Sequence, residues 1–394
     1  MATKGDLCCC VNPTNWNILF DKVADACVSI TAFDNDPNNI NRVSNPGSGF
    51  LLNIKHKYYV VTAYSAIANI NRQSQESAFF IRYNIYANIS NINGEKKSRY
   101  YRLKLLAVDG QANLALLEIA HNGHNKNLPK LCDHKSAKLA KCNPKHGEAV
   151  AKIGYLDGYD HQSISSGIVR EPNHLFYNFA ANPNNYILCD MDNDSDGSPI
   201  FNCDGHIVGM ATVLYNQNRV IGPNVRTIKR FVKSYLDCPG HFSKFQKEDS
   251  KPLQSSLGSF SRYLKGYMGI TIDIFGRNND LAKYLLPGME WPDRNINGGV
   301  VTVVDPDGPW KKANLPGVDM QPVLLKINCV PIGDILCNED AVGFKTWKLL
   351  PGDTVKIEYV LLKDFYTSSK LSTEAELILG DWSTIYDIPF TELV

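Results

Sequence analysis

The 394 residues carry 41 Lys and Arg against 40 Asp and Glu, a formal net charge of +1, with 44% hydrophobic and 21% charged residues. That balance gives no electrostatic reason to expect nucleic acid or an acidic membrane surface as partner, and no apolar run is long enough to span a bilayer. The composition is that of a globular chain too long for one ordinary core, so two domains are expected.

Residues 1 to 14 read as an N-terminal arm. The stretch MATKGDLCCCVNPTN lacks the apolar centre of a secretory signal. A cytoplasmic or virion-associated protein is therefore expected. Abundant Asn, Lys, Ile and Tyr suggest an AT-rich genome, such as that of a large DNA virus or a protist. The eleven cysteines include no C-x-x-C pair, which argues against structural zinc. Cys8-Cys9-Cys10 offers an acylation or soft-metal site, or simply a reduced arm. Cys189 and Cys203 flank an acidic loop and, with no sign of secretion, are expected as buried free thiols.

Residues 15 to 32 predict a short amphipathic helix, with Phe20, Val23 and Ala24 on one face, followed by a strand from Cys27. A strand at Gly47-Ser48-Gly49-Phe50 leads through Tyr58 to Ala63 and on to Tyr64-Ser65-Ala66. Strands over 78–87 and 100–108 follow, then Asn113-Leu114-Ala115-Leu116-Leu117. A loop rich in Asn, His and Lys (121–146) leads to strands at His146 to Tyr155 and Ser165 to Val169. Next comes ILCDMDNDSDGSPIFNCDGHIVGM, from Ile187 to Met210. Its second half reads strand, turn at Cys203-Asp204-Gly205, strand. Val220 to Val225 predicts a last strand, and Ile228, Phe231 and Val232 a closing helix.

The order and type of these pieces over residues 15–236 resemble the trypsin-like serine proteases, most closely their HtrA/Deg branch. Setting Pro199 on the proline after the nucleophile turn puts Gly197 and Ser198 on two glycines of that turn. Asp190 then falls on the leading aspartate and Asp196 on the nucleophilic serine. The histidine place after Thr62-Ala63 holds Ser65, and the aspartate place before Leu114 holds Asn113. The resemblance implies a mainly β fold, with a double six-stranded β-barrel and an oxyanion loop at Asp194 and Asp196.

Asp237 to Ser261 is polar with scattered Pro, Gly and Ser, and reads as a linker over 237–261. Beyond it, residues 262–370 resemble a PDZ domain, a small β-barrel or sandwich. Gly266-Tyr267-Met268-Gly269-Ile270 stands for its carboxylate-binding loop. The resemblance implies peptide binding at Tyr267, Met268, Gly269 and Ile270, with Arg262 or Lys265 assisting and protein or peptide C-termini as partners. A helix is expected at 281–286, a strand at 299–304, a turn with Cys329 in place of the family's glycine, and a C-terminal extension over 371–394. HtrA relatives trimerise through the protease domain, so a homo-oligomer is implied.

A trypsin-like enzyme needs a hydroxyl nucleophile, an imidazole base and a carboxylate that orients the imidazole. With Asp196, Ser65 and Asn113 in those places, the expectation is a pseudoprotease acting in protein binding or assembly, without a cofactor. Two alternatives stay open. One is a working endopeptidase with a displaced nucleophile, Ser195 or Ser198, served by a histidine such as His56, His121, His124, His134 or His206. The other is a structural component, for instance of a virion. Asp192, Asp194 and Asp196 also match the first half of a D-x-D-x-D-G calcium loop whose closing glutamate is replaced by Cys203. A weak calcium site thus competes with a plain solvated turn.

Overall fold

The structure, a computed structural model, describes residues 16–33, 47–70, 79–81, 84–90, 99–110, 112–120, 131, 134–155, 161–176, 184–192, 195–216, 219–237, 242–245, 260–263, 266–274, 298–331, 349–365 and 372–381. These fall into two compact units. The larger includes the described residues up to Leu175 and from Asn184 to Tyr263, and the smaller those from Leu264 to Tyr386.

The larger unit begins with helix α1 (Trp16–Val23), which buries Leu19 and Val23, one turn apart. The first barrel runs Cys27–Phe33, Gly47–Ile54, Lys57–Thr62, Leu114–Ile119, Arg99–Asp109 and Asn84–Ile89, all antiparallel. The last strand pairs back onto the first, so the sheet closes. Strand alternation sorts the side chains. Leu51, Val60, Ala115 and Leu117 fill the barrel, while Phe50, Leu52, Val61, Leu114 and Leu116 face a second core shared with the next barrel.

In the second barrel the strand order is Arg219–Pro223, Asn184–Asp190, Gln162–Phe176, Ala149–Tyr155, Ser198–Asn202 and His206–Ala211. An isolated bridge between Gly209 and Asn224 joins the far end towards the start. In Ala149–Tyr155, Ala151 and Ile153 face the shared core, whereas Val150 faces the barrel's own interior. Helix α2 (Val225–Asp237) is capped by Asn224, whose Oδ1 accepts from the Thr227 amide at 3.1 Å. Ile228, Phe231 and Val232, at helical spacing, seal the shared core. The mainly β, trypsin-like double barrel implied by the resemblance is what the chain forms.

Three expectations need correction. Strand Phe242–Phe245 lies in the stretch read as linker, and strand Phe260–Tyr263 crosses from it into the stretch read as PDZ-like. They pair with each other, and Ser261 and Arg262 run parallel to Ala107 and Val108 of the first barrel. Arg262 therefore belongs to the larger unit. Strands of four residues in polar surroundings leave no periodic signal long enough to read. The stretch read as a C-terminal extension supplies Thr373–Ile378, which pairs along Thr354–Leu361, and Gly380–Asp381, which pairs with Gly266–Tyr267. Finally, Cys189 is a buried free thiol as expected, but Cys203 is disulfide-bonded. Its partner is none of Cys27, Cys142, Cys189 and Cys329, which are free.

The smaller unit is an antiparallel sheet in the order Ile270–Ile274, Gly299–Val304, Pro322–Ile327, Thr354–Leu361, Thr373–Ile378. Its core gathers around Trp310, fully buried and edge-on to Tyr359. Asn328 and Cys329, at φ 48° and 64°, make the two-residue hairpin turn after Ile327. The helix expected at 281–286 lies outside the described residues. Among the described residues no helix is long and apolar enough to cross a membrane.

One buried group couples this fold to pH. The His134 ring is buried and its Nε2 donates to the Asp25 carbonyl at 2.8 Å, while Tyr58 Oη donates to the His134 carbonyl. Burial lowers its pKa from the ordinary 6.5, against the opposing pull of Asp25. The unfolded chain then takes up the proton first as pH falls, so this contribution to stability is complete above 6.5 and declines below it. Urea unfolding is expected to show a lower midpoint at pH 5.5 than at 7.5, with a smaller difference in His134→Gln. An unchanged difference in the variant would contradict the assignment.

Candidate functional site

The junction between the barrels is built on Ser48, in strand Gly47–Ile54 of the first barrel. Its amide donates to the Asp196 carbonyl at 2.7 Å. Its hydroxyl accepts from the Tyr155 amide at 2.8 Å and bonds the Ser195 hydroxyl at 2.7 Å. Thr62 Oγ1 donates to the Ser48 carbonyl at 2.6 Å. One residue of the first barrel thus clasps both the acidic loop and the last residue of strand Ala149–Tyr155.

Gly197 makes the close approach possible. Its φ is +86°, and a Cβ there would collide with the Ser48 carbonyl oxygen and the Thr62 hydroxyl. Its amide donates to the Ala211 carbonyl at 2.7 Å, closing the turn onto the second barrel. Gly197→Ala is expected to cost more than about 2 kcal/mol, since it adds a backbone collision to a left-handed conformation. Urea unfolding measures this, and a loss below half of that would show that the loop does not bear on Ser48.

On this frame Asn113, Ser65 and Asp196, the residues that the resemblance sets at the triad places, meet in one hydrogen-bonded chain. Asn113 is buried, with φ 52°, a conformation that asparagine tolerates better than most residues. Its Oδ1 accepts from the Ser65 amide at 2.8 Å and its Nδ2 donates to Ser65 Oγ at 3.0 Å. Ser65 Oγ in turn donates to Asp196 Oδ2 at 3.0 Å. Donors run in one direction and end on a carboxylate, a charge-assisted arrangement. An amide and an alcohol cannot take a proton from a nucleophile near neutral pH. As placed, the chain fixes an anion.

The other nucleophile candidates are inside the structure. Ser195 is 4% exposed and bonded to Ser48, and Ser198 is fully buried with its hydroxyl donating to the Ser195 carbonyl at 2.8 Å. Among the described residues no hydrogen bond joins either hydroxyl to an imidazole. His134 is held by Asp25, the His206 amide donates to Asn202 Oδ1, and His56 is exposed on its hairpin. His121 and His124 lie outside the described residues.

Asp190 ends its strand in ion pairs, with Arg170 Nε at 2.8 and 2.7 Å from its two oxygens and Arg219 at 3.5 Å. Asp192 is exposed. Asp194, common to the oxyanion-loop and calcium readings, lies outside the described residues. Among the described residues no group of three or more His, Cys, Asp or Glu could hold a metal ion. Sequence reading placed Ser48 and Thr62 in strand motifs but missed them as parts of the site, because each reaches it only through the fold of the barrels.

In the smaller unit the predicted peptide-binding residues divide. Met268 and Ile270 put their side chains in the core. Gly269, at φ +79°, turns the chain between them. The Met268 carbonyl accepts from the Trp310 amide and that of Gly269 from the Asp305 amide. Tyr267 pairs with Gly380 through its backbone. Strand Ile270–Ile274 stands at one end of the sheet order, pairing only with Gly299–Val304 among the described residues.

Comparison with known proteins agrees with this architecture. The trypsin-like peptidase domain matches residues 47–210. A probable periplasmic serine endoprotease, DegP-like, from Pseudomonas fluorescens is 28% identical over 240 residues, 59% of this chain and 40% of that protein. One of the same description from a Marinomonas species is 27% identical over 296 residues, 72% of this chain and 48% of the relative. The chain thus spans less than half the length of these curated relatives. Both are named periplasmic, and so lend no support to the cytoplasmic or virion-associated setting expected from the sequence. Among solved structures, the serine endoprotease from Yersinia pestis superposes with a TM-score of 0.54 at 15% identity, over 94% of this chain and 99% of that one. The HtrA-type protease AlgW with a tripeptide gives 0.55 at 14% identity, over 93% and 97%. At such identity the likeness is one of fold.

Proposed function

We propose that this chain, a homologue of the HtrA/DegP-like serine proteases with their trypsin fold, is a pseudoprotease that keeps the scaffold for protein binding or assembly and does not hydrolyse peptide bonds. The observation that carries the reading is the Asn113–Ser65–Asp196 chain. By the resemblance these three residues stand where the family has its proton relay, and their hydrogen bonds hold a carboxylate in position. An asparagine in the third place alone lowers turnover about 10⁴-fold in a triad whose other members are intact. A carboxylate in the nucleophile place adds negative charge where an oxyanion would develop.

The competing reading, an active serine endopeptidase, is favoured by the names of the relatives. A fluorophosphonate probe separates the two. The expected outcome is no labelling of the chain as it stands, and labelling of the variant carrying Ser65→His, Asn113→Asp and Asp196→Ser. Labelling of the unaltered chain that vanishes on Ser195→Ala would overturn the proposal.

The smaller unit fits a PDZ-like role. The left-handed turn at Gly269 precedes a strand with an unpaired side among the described residues, the geometry by which a peptide C-terminus adds to a sheet. The relatives' periplasmic names and the disulfide at Cys203 support an oxidising compartment. Peptides from a C-terminal library are expected to bind and to lose affinity when their carboxylate is amidated. Binding that is indifferent to amidation would contradict the PDZ-like reading.

A further inference from the structure

Helix α2 divides its side chains by polarity. Ile228, Phe231 and Val232 turn into the shared core, while Arg226, Lys229, Arg230 and Lys233, at spacings of three and four, share the opposite face. No Asp or Glu precedes Asp237 in this helix. The segment 134–147 also holds no Asp or Glu, and its Lys138, Lys141 and Lys145 are exposed.

The fold sets this segment along the basic face. Lys229 Nζ donates to the Lys141 carbonyl at 3.0 Å. Asn143 and Asn224, the cap of the helix, both donate to Asn173 Oδ1, and Ala140 shares a core with Val225. Burial lowers the pKa of Lys229 from its ordinary 10.5; Cys142 opposes the shift and the neighbouring Arg226 guanidinium adds to it. Among the described residues no carboxylate stands within ion-pair distance of Lys138, Lys141, Lys145, Lys229 or Lys233. Of the acids next along the chain, Glu148 turns its Oε2 onto the Lys145 amide, and Asp237 ends the helix. A chain of net charge +1 thus gathers cations on one face. Their mutual repulsion is a cost that a partner of opposite sign offsets.

We propose that this face, helix α2 together with the segment 138–145, docks an acidic stretch of a partner polypeptide in extended form. Charge complementarity sets the partner's sign, and the kind of cation sets its class. Exposed lysines are separate point charges on flexible stems, each able to follow one carboxylate of a flexible chain. Cations three and four residues apart on a helix stand about 5–6 Å from one another. Alternate side chains of an extended chain stand about 6.5–7 Å apart, so Asp or Glu at every second position can meet them in turn. A nucleic acid is less suited. The arginines, whose planar fork matches phosphate, are half-buried here, and neither segment exposes an aromatic side chain on which a base could stack. The surface gives a partner chemistry to the binding role proposed above. It shares no residue with the Asn113–Ser65–Asp196 chain, so its failure would leave the loss of catalysis untouched.

The test is fluorescence anisotropy on the full chain with a labelled peptide of alternating Glu and Ser. The peptide is amidated, so that the smaller unit cannot take it by a terminal carboxylate. It is expected to bind at 50 mM NaCl and to lose at least tenfold in affinity at 300 mM. Lys138→Gln, Lys141→Gln, Lys145→Gln and Lys233→Gln combined are expected to weaken binding at least tenfold at 50 mM. Lys229 stays in place because it holds the Lys141 carbonyl. A control with Gln at four other exposed lysines, Lys55, Lys57, Lys356 and Lys363, makes the same change in net charge and is expected to alter affinity less than twofold. No binding at 50 mM, or a loss in the first variant no larger than in the control, would overturn the proposal. Tighter binding of a 20-base-pair DNA duplex than of the peptide would overturn it as well.

Discussion

A serine hydroxyl carries one proton, and the site depends on where that proton goes. Ser65 donates it to Asp196, so anything else that meets Ser65 Oγ must itself be a donor. The Asn113 amide is such a donor. An aspartate in its place would face a second carboxylate across a single hydroxyl, with one proton between two acceptors. Asn113, Ser65 and Asp196 are therefore chemically consistent with one another.

The same chain needs a platform of fixed geometry, and the two barrels provide it from opposite sides. Asn113 and Ser65 stand on loops of the first barrel, anchored where Tyr64 donates to the Asn113 carbonyl. Asp196 stands on a loop of the second. Hydrogen bonds of 3.0 Å across that boundary survive only if the barrels cannot slide. The shared core, with Phe50, Leu116, Ile153, Phe201 and Phe231, prevents sliding by close packing. Ser48 then sets the local register by bonding Ser195, Tyr155 and Asp196 at once. Removing water from these groups strengthens each bond and makes any unpaired member costly, so the cluster is held as a whole.

Much of the barrel was legible in advance. The strands at 47–54, 57–62, 114–119 and 149–155 alternate or run apolar in the way buried strands do, and the Gly-rich turns between them carry their own signals. Ser65, Asn113 and Asp196 could be singled out together because each stands inside a flank that resembles the family's. The hairpin at 242–263 was not legible. Its strands are four residues long; they pair with each other, and Phe260–Tyr263 also runs along Ala107 and Val108 of the first barrel, far outside any local window. Cys203 was misjudged for a similar reason: a disulfide records a meeting in space, which spacing along the chain does not report.

By itself the sequence determined which chemical groups residues 65, 113 and 196 carry, and that none of them is an imidazole. It also determined the strand-rich, two-unit character of the chain, since periodicity and turn chemistry are local properties. Only the tertiary structure decided that Asn113, Ser65 and Asp196 touch, in what direction their protons run, and that Ser195 and Ser198 are shut away from solvent. It also decided that Lys141 and Lys229 meet. These are matters of distance between residues 48 to 131 positions apart, set by how two closed sheets pack, and no stretch of sequence encodes them alone.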